Sequence, residues 1–180
     1  MPNKFNFQGA VSTLMDIKKR IVVPSSHRAR LNPEVDGDGF VANVAADELI
    51  WLFPQNYYPE VVADAEAMAT TDDELEAVRY HYLGYGVHCP MDAQNRVTLP
   101  ADMLARSGAG RELVIVGMSD HLEVWPAERW AEKLKKVTAK PLGRLGIGHR
   151  LPGTAAGVSS VTRSPAVSPA TVVPPTPGQG

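Results

Sequence analysis

Two short segments of the sequence place an aspartate four residues before an arginine. One contains Asp16 and Arg20, and the other contains Asp92 and Arg96. Across a tight turn, a carboxylate at this spacing can pair with the guanidinium or accept hydrogen bonds from turn amides, and these contacts orient the planar arginine side chain. An oriented guanidinium can donate two hydrogen bonds to O6 and N7 of guanine, worth about 1–3 kcal/mol of discrimination. An arginine held in this way is chemically suited to contact nucleic-acid bases.

The residues inside the two Asp-x-x-x-Arg segments differ in charge. The first segment holds Lys18 and Lys19, whereas the three residues inside the second are uncharged. Lysine beside an oriented arginine favours contact with phosphate, which sets the register and makes binding depend on salt. We predict that Arg20, oriented by Asp16, reads bases. Contacts to the phosphate backbone are assigned to Lys18, Lys19 and Arg28.

Two interpretations of the second segment stay open. Arg96 can make a further DNA contact, or Asp92 and Arg96 can form an ion pair that only stabilises the turn. The local field of an uncharged segment attracts phosphate less strongly, which favours the ion pair.

The net charge of −2 hides an uneven distribution. Residues 1–30 hold six basic residues and one acid, and residues 31–80 hold twelve acids and one arginine. Residues 136–180 hold five basic residues and no acid. A basic segment can concentrate on phosphate even when the total charge is nearly neutral, although ordinary solvated surface would show the same charges. The acidic stretch at 64–76 is expected to face away from DNA or to meet a basic patch on a neighbouring copy.

A catalytic or metal-binding function is the first alternative. The cluster that could suggest one consists of His81, His88, Cys89 and Asp92. Its spacing matches no established metal-ligand pattern. His88 and Cys89 are neighbours on a predicted strand, so their side chains should point to opposite faces. The sequence also has no Gly-rich phosphate loop and no nucleophile signature. We expect no enzymatic activity, metal, cofactor or small-molecule substrate.

Several features predict a cytoplasmic protein. The sequence has no run of about 18 apolar residues, so no membrane span is expected. The start of the chain lacks the basic-then-apolar layout of a secretory signal. Cys89 is the one cysteine of the sequence and cannot form an internal disulfide, which fits a reducing compartment.

A pattern in the first half of the chain recurs in the second half. The sequence Met-Asp-x-x-x-Arg, followed by three β-prone residues and a proline, occurs at residues 15–24 and again at residues 91–100. An apolar strand that ends in an aromatic residue and proline follows each copy, at 49–54 and at 122–126. Two matching anchors in the same order indicate a tandem duplication.

Each copy begins with the same predicted elements. A strand enters the Asp-x-x-x-Arg turn and a second strand leaves it, at 21–23 or 97–99. A proline then takes the first position of a short helix, where its fixed φ is suitable. The helix of the second copy, at 101–107, should end at Gly108 in the left-handed geometry that glycine favours.

Each copy ends with a hairpin and a helix. The predicted hairpins pair residues 40–44 with 49–53, and residues 113–117 with 121–125. Pro54 or Pro126 opens the closing helix. In the second of these helices, one apolar face is formed by Trp130, Leu134 and Val137. A further helix between the copies begins at a capping box of Thr71 and Glu74 and should end at Gly84.

These elements predict an α+β fold with four parts. The two repeats span residues 7–60 and 85–138, and connecting helices occupy residues 61–84. Residues 139–180 are predicted to be a disordered tail, because this stretch is rich in proline and has no aromatic residue to form a core. A repeat of this size leaves its sheet edges unpaired, and two repeats can close each other by exchanging hairpins into one β-barrel.

The stretches that carry a family resemblance lie at residues 7–10, 14–20 and 86–130. They include Phe-Gln-Gly-Ala near the start, both Asp-x-x-x-Arg turns, Val-Ile-Val-Gly at 114–117 and Leu-Glu-Val-Trp at 122–125. In these features the chain resembles the MraZ family of the AbrB/SpoVT-like superfamily, over about residues 5–138. The resemblance implies a double-psi, swapped-hairpin β-barrel built from two tandem SpoVT-AbrB-like repeats with flanking helices.

The resemblance also implies a function. MraZ proteins are transcription regulators of the division and cell-wall gene cluster, and they form homo-oligomeric rings that bind short direct repeats in double-stranded DNA upstream of their own gene. The first Asp-x-x-x-Arg turn carries much of that contact. We expect the same role here, with repeats spaced by about one helical turn (~10 bp) and a cytoplasmic, nucleoid-associated location.

Three positions depart from the family pattern. The third residue between Asp and Arg is usually glycine in the family, whereas Lys19 and Asn95 occupy it here. Either the first turn is looser, or Lys19 accepts some strain and adds a positive charge at the DNA face. Gln8 lies where some members have a basic residue, which can lower affinity or alter the sequence preference.

A regulator that mainly binds protein is the remaining alternative. AbrB-like antitoxins often combine a small DNA-binding barrel with a tail that folds on a toxin, and an interaction scaffold of this kind would have only nonspecific affinity for DNA. The tail here has few large apolar residues with which to form such a docking helix. A sequence-specific DNA-binding regulator is therefore the preferred interpretation.

Overall fold

The structure, a computed structural model, describes residues 5–139 of the 180-residue chain. The tail predicted at 139–180 therefore lies outside the described residues, except for Ala139. Helices and antiparallel strands form the described part together, which confirms the α+β class predicted from the sequence.

Eight strands and six α-helices form within residues 5–139. The strands are β1 (Ala10–Leu14), β2 (Arg20–Val22), β3 (Gly39–Val44), β4 (Ile50–Pro54), β5 (Val87–Pro90), β6 (Arg96–Thr98), β7 (Glu112–Gly117) and β8 (Leu122–Pro126). The helices are α1 (Ser25–Arg28), α2 (Pro33–Asp36), α3 (Tyr58–Met68), α4 (Asp72–Arg79), α5 (Ala101–Ser107) and α6 (Ala127–Thr138). A 3-10 turn (Gln55–Tyr57) precedes α3, and a π-helical turn (Tyr80–Gly84) follows α4.

Six strands form one antiparallel sheet in the order β1-β7-β8-β4-β3-β5, and β2 pairs with β6 in a second, two-stranded sheet. Both predicted hairpins form, β3 with β4 and β7 with β8. The two outer strands are exchanged between the halves of the chain, because β1 pairs with β7 and β5 pairs with β3. Each half therefore depends on the other to complete the sheet.

The central strands of the large sheet pack side chains on both faces. In β7, Leu113 and Ile115 join the main core, to which both halves of the chain contribute. Val114 and Val116 alternate with them and join a second cluster, which lies under α6. A third cluster lies between β4 and α3. The edge strand β1 has only one neighbour in the sheet and is largely exposed.

The helix boundaries correct one prediction and confirm two others. Four prolines lie one residue before a helical segment, and not at its first position: Pro24, Pro54, Pro100 and Pro126. Their ψ angles of 133–142° are extended, because the fixed φ of proline suits an extended residue as well as a helical one. Gly108 ends α5 with φ 67°, as predicted. Thr71 caps α4 as predicted, since its hydroxyl accepts a hydrogen bond from the Glu74 amide.

Candidate nucleic-acid interface

A single carboxylate holds the first Asp-x-x-x-Arg turn, residues 16–20. Asp16 Oδ1 accepts hydrogen bonds from the backbone amides of Lys18 and Arg20, at 2.8 and 3.0 Å. Asp16 Oδ2 accepts a hydrogen bond from Arg20 Nε at 2.8 Å and forms a salt bridge with Arg20 Nη2 at 2.7 Å. The two contacts considered from the sequence, to turn amides and to the guanidinium, therefore form together. The hydrogen bond from the Arg20 side chain is the largest reason that the pKa of Asp16 falls to about 2.

The second turn, residues 92–96, repeats this geometry. Asp92 Oδ1 accepts from the amides of Gln94 and Arg96 at 2.9 Å, and Oδ2 binds Arg96 Nε at 2.8 Å and Nη2 at 2.7 Å. Hydrogen bonding from the Arg96 side chain lowers the pKa of Asp92. One contact is additional, because Arg96 Nη2 also donates to Gln94 Oε1 at 2.7 Å. Two side chains of its own turn thus engage the Arg96 guanidinium.

The structure brings the two turns together. β2 and β6, which leave the turns, pair with each other. The Leu99 amide donates to the Lys19 carbonyl at 2.9 Å, and the Val23 amide, just after β2, donates to the Asn95 carbonyl at the same distance. Arg20 Nη1 lies 3.9 Å from Asp92 Oδ2. Residues 16–20 and 92–96 therefore form one continuous patch, here called the two-turn surface, in which the turns are related by an approximate two-fold rotation.

The backbone of each turn passes through the left-handed region at its fourth residue. Lys19 has φ 60°, and Asn95 has φ 61°. This conformation costs a lysine about 1–2 kcal/mol, whereas asparagine adopts it more readily. The structure therefore settles the two alternatives for the first turn: it is as tight as the second, and Lys19 accepts the strain with its side chain exposed.

The two turns have neighbours of opposite charge, which were not foreseen from the sequence. The Met15 amide donates to the Arg111 carbonyl at 2.9 Å, and Arg111 lines a cleft beside the first turn together with Ile17. On the equivalent side of the second turn, the Met91 amide donates to the Asp38 carbonyl at 2.9 Å. These neighbours lie far from the turns in sequence, so no local signal could have identified them.

The remaining basic residues differ in their accessibility. Lys18 and Lys19 are exposed, and Ile17 beside them is 99% exposed. The spacing of the motif gave no reason to expect an apolar side chain at the tip of this charged turn. Arg28 is half-buried at the end of α1, where its Nε donates to the Val23 carbonyl at 3.1 Å. Part of the Arg28 guanidinium therefore holds the chain next to β2.

The residues considered for metal binding or nucleophilic chemistry are not arranged for it. His88 is exposed and Cys89 is buried, on opposite faces of β5 as predicted. Burial raises the pKa of the Cys89 thiol to about 11, which disfavours the thiolate. Within residues 5–139, no group of three or more His, Cys, Asp or Glu side chains could hold a metal ion. No helix in the described part of the chain is long and apolar enough to cross a membrane.

Comparisons with known proteins point to one family. Residues 83–144 match the family model described as "MraZ protein, putative antitoxin-like". A protein of Limosilactobacillus fermentum named transcriptional regulator MraZ is 30% identical over 126 residues, which cover 69% of this chain and 84% of the relative. The protein of the same name from Halothermothrix orenii is 27% identical over 148 residues, covering 78% of this chain and 99% of the relative. A third, from Natranaerobius thermophilus, is 28% identical over 124 residues, covering 69% and 83%.

Proposed function

The chain belongs to the MraZ family of transcriptional regulators, and from this premise we propose that it binds specific double-stranded DNA upstream of its own gene. The proposed operator consists of short direct repeats in the promoter of a division and cell-wall gene cluster. The observation that carries the proposal is the two-turn surface, in which two oriented arginines lie beside exposed lysines. An oriented guanidinium needs little rearrangement to form two hydrogen bonds with a guanine.

The first turn is the proposed DNA-reading element. Arg20, oriented by Asp16, donates to a base edge in the major groove. Lys18 and Lys19 contact phosphate, and Arg28 extends that contact from α1. The basic neighbour Arg111 supports this assignment, because it adds positive charge on the side of the cleft beside the first turn.

The second turn has a mainly structural role in this proposal. Arg96 is engaged by both Asp92 and Gln94, so less of its guanidinium is free for a base. Asp38 beside this turn also repels phosphate. These contacts support the ion-pair interpretation of Asp92 and Arg96 over a DNA contact equal to that of Arg20.

The proposal extends to architecture and assembly. The exchange of β1 and β5 supports a double-psi, swapped-hairpin barrel made from tandem repeats at 7–60 and 85–138, joined by the connecting helices at 61–84. Copies of the chain assemble into a homo-oligomeric ring, so that several weak sites act together on repeated DNA. The protein acts in the cytoplasm, in association with the nucleoid.

The test is binding of the purified chain to a labelled duplex taken from directly upstream of its own gene, with excess unrelated duplex as competitor. Specific binding should resist the competitor. Arg20→Ala should weaken it by about 5- to 150-fold, corresponding to 1–3 kcal/mol. Arg96→Ala, the matched change in the second turn, should weaken it much less, with circular dichroism used to check that both variants are folded.

Two results would contradict the proposal. Equal losses from Arg20→Ala and Arg96→Ala would overturn the division of roles between the turns. Binding that the competitor abolishes would instead favour an antitoxin-like protein or interaction scaffold with only nonspecific DNA affinity, a function that the description of the matched family model supports.

A further inference from the structure

The carboxyl-terminal helix of the described chain leaves the body of the molecule with an apolar stripe uncovered. Near the start of α6, Trp130 packs against Trp125 with ring centroids 5.6 Å apart. From residue 131 onward every residue of the helix is exposed. Leu134 and Val137 lie on the same side of the helix as Trp130, and each is 46% exposed. The last two turns of α6 therefore present an amphipathic surface to solvent.

A groove that also exposes apolar side chains lies on α4 and the π-helical turn that follows it. It is an open groove of about 700 Å³, and its apolar lining consists of the side chains of Leu75, Tyr80 and Leu83. Tyr80 is 68% exposed and Leu83 is 60% exposed, although both are large apolar side chains. The charged residues that line the same groove are Asp72, Glu76 and Arg79. The groove thus offers an apolar floor with acidic residues beside it.

The charges of the two surfaces are complementary. The helix α6 holds four basic and two acidic residues. One of the basic residues, Lys133, follows the apolar stripe, and its Nζ lies 5.6 Å from the centre of the Trp125 ring at the base of the helix. Residues 58–79, which include α3 and α4, hold seven acidic residues and one arginine. That arginine, Arg79, is already paired with Glu66 at 2.7 Å. A basic amphipathic helix is the kind of partner that this acidic, apolar groove would bind.

We propose that α6 of one copy of the chain docks into the α4 groove of a second copy. Because the contact joins two different surfaces, copies that do not exchange α6 reciprocally in a closed dimer add head to tail, which closes into a ring or continues as a filament. The inference rests on the proposed homo-oligomer and names the surfaces that form it. It does not involve the two-turn surface, so assembly and DNA binding can fail independently.

The experiment measures the mass of the full-length protein by size-exclusion chromatography with light scattering. Leu134→Asp on α6 and Leu83→Asp in the groove should each reduce the assembled wild type to the 19.4 kDa chain. An equimolar mixture of the two variants should form a complex of two chains and no larger species, because each variant retains the surface that the other lacks. Circular dichroism should show both variants folded, since both side chains are exposed.

A matched pair of charge changes on α6 supplies the control. Lys133→Glu, beside the stripe, should weaken assembly, whereas Lys135→Glu on the opposite side of the helix should leave the mass unchanged. The proposal is wrong if Leu134→Asp keeps the wild-type mass while Leu83→Asp does not, because another segment would then fill the groove. It is also wrong if the mixture stays monomeric, or if the wild type itself is a monomer that nevertheless binds its operator.

Discussion

At the scale of single residues, Lys19 combines a strained backbone conformation with an exposed positive charge. Its φ of 60° lies in the region that asparagine and glycine adopt more readily, and Asn95 occupies the equivalent position with nearly the same φ. The strained conformation persists because the Asp16 carboxylate accepts hydrogen bonds from the amides on either side of Lys19, and because the Lys19 carbonyl accepts a hydrogen bond from the Leu99 amide.

Replacing Lys19 with asparagine separates the strain from the charge. Lys19→Asn should keep the turn and leave the free energy of unfolding equal to or above that of the wild type. It should weaken binding to operator and to unrelated DNA by a similar factor, and it should lower the salt slope of binding by about 0.9. Fluorescence anisotropy at several salt concentrations measures both effects. A selective loss of operator binding would show that Lys19 reads bases and does not contact phosphate.

Part of the candidate site could be predicted from local spacing alone. The contacts of Asp16 with Arg20 and of Asp92 with Arg96 follow from a four-residue separation across a turn. The approach of Arg20 to Asp92 could not be predicted in this way, because it depends on pairing between β2 and β6, which are far apart in the chain. The same reason explains why Arg111 and Asp38 were missed.

At the scale of elements, a single glycine, Gly108, ends the helix α5. It follows α5 with φ 67°, and a Cβ added there would meet no atom within 4 Å. Gly108→Ala should therefore destabilise the protein through its backbone alone, by about 1 kcal/mol. Gly110→Ala is the matched control, since it also has open space but no positive φ. Urea unfolding should show a lower midpoint for the first variant and little change for the second.

The turn between β7 and β8 carries a histidine whose charge depends on its neighbours. The His121 ring lies against Trp51, with centroids 4.6 Å apart, and its Nδ1 lies 2.8 Å from Asp120 Oδ1. Its Nε2 lies 3.8 Å from Glu123 Oε1. Burial disfavours the charged imidazole, but the interactions with Asp120 and Glu123 outweigh this effect and raise the pKa of His121.

This raised pKa predicts the direction of a pH dependence. The stabilising contribution of His121 is complete below the unfolded-state pKa of about 6.5 and is lost as the pH rises through the higher folded-state value. The free energy of unfolding should therefore fall over this range in the wild type and fall less in His121→Gln. Urea unfolding between about pH 6 and pH 9 measures the difference. Identical pH profiles for the wild type and His121→Gln would refute the assignment to His121.

At the scale of the whole molecule, the exchanged strands make the two halves interdependent. β1 from the first half pairs with β7, and β5 from the second half pairs with β3. Separate expression of residues 1–84 and 85–180 should therefore give neither half as a stable native monomer. Mixing the two fragments should restore a 1:1 complex with the circular dichroism of the intact chain. A stable, folded monomer of either fragment would contradict this expectation.

The sequence repeat predicts the hairpins but not which outer strand joins which hairpin. Alternating apolar residues and turn residues mark β3, β4, β7 and β8, because these signals lie within short windows. The largely exposed β1 has little apolar pattern, and its partner is decided by contacts across the chain. Sequence patterns are informative within an element and much less so between elements that meet only in the folded state.

In the proposed DNA-binding mode, each bound copy has a direction along the duplex, because the two turns of the two-turn surface lie in one chain and differ in charge. Two identical turns related by a two-fold axis would read the same bases on either strand, and they would favour a palindrome. Rotating one copy by 180° about the approximate two-fold axis would place Gln94 where Lys18 had been. The two orientations of that copy on DNA are therefore not equivalent. If the chain binds as proposed, inverting one DNA site would reverse the orientation of the copy bound to it, so the order and strand of the repeats would set the polarity of the whole complex.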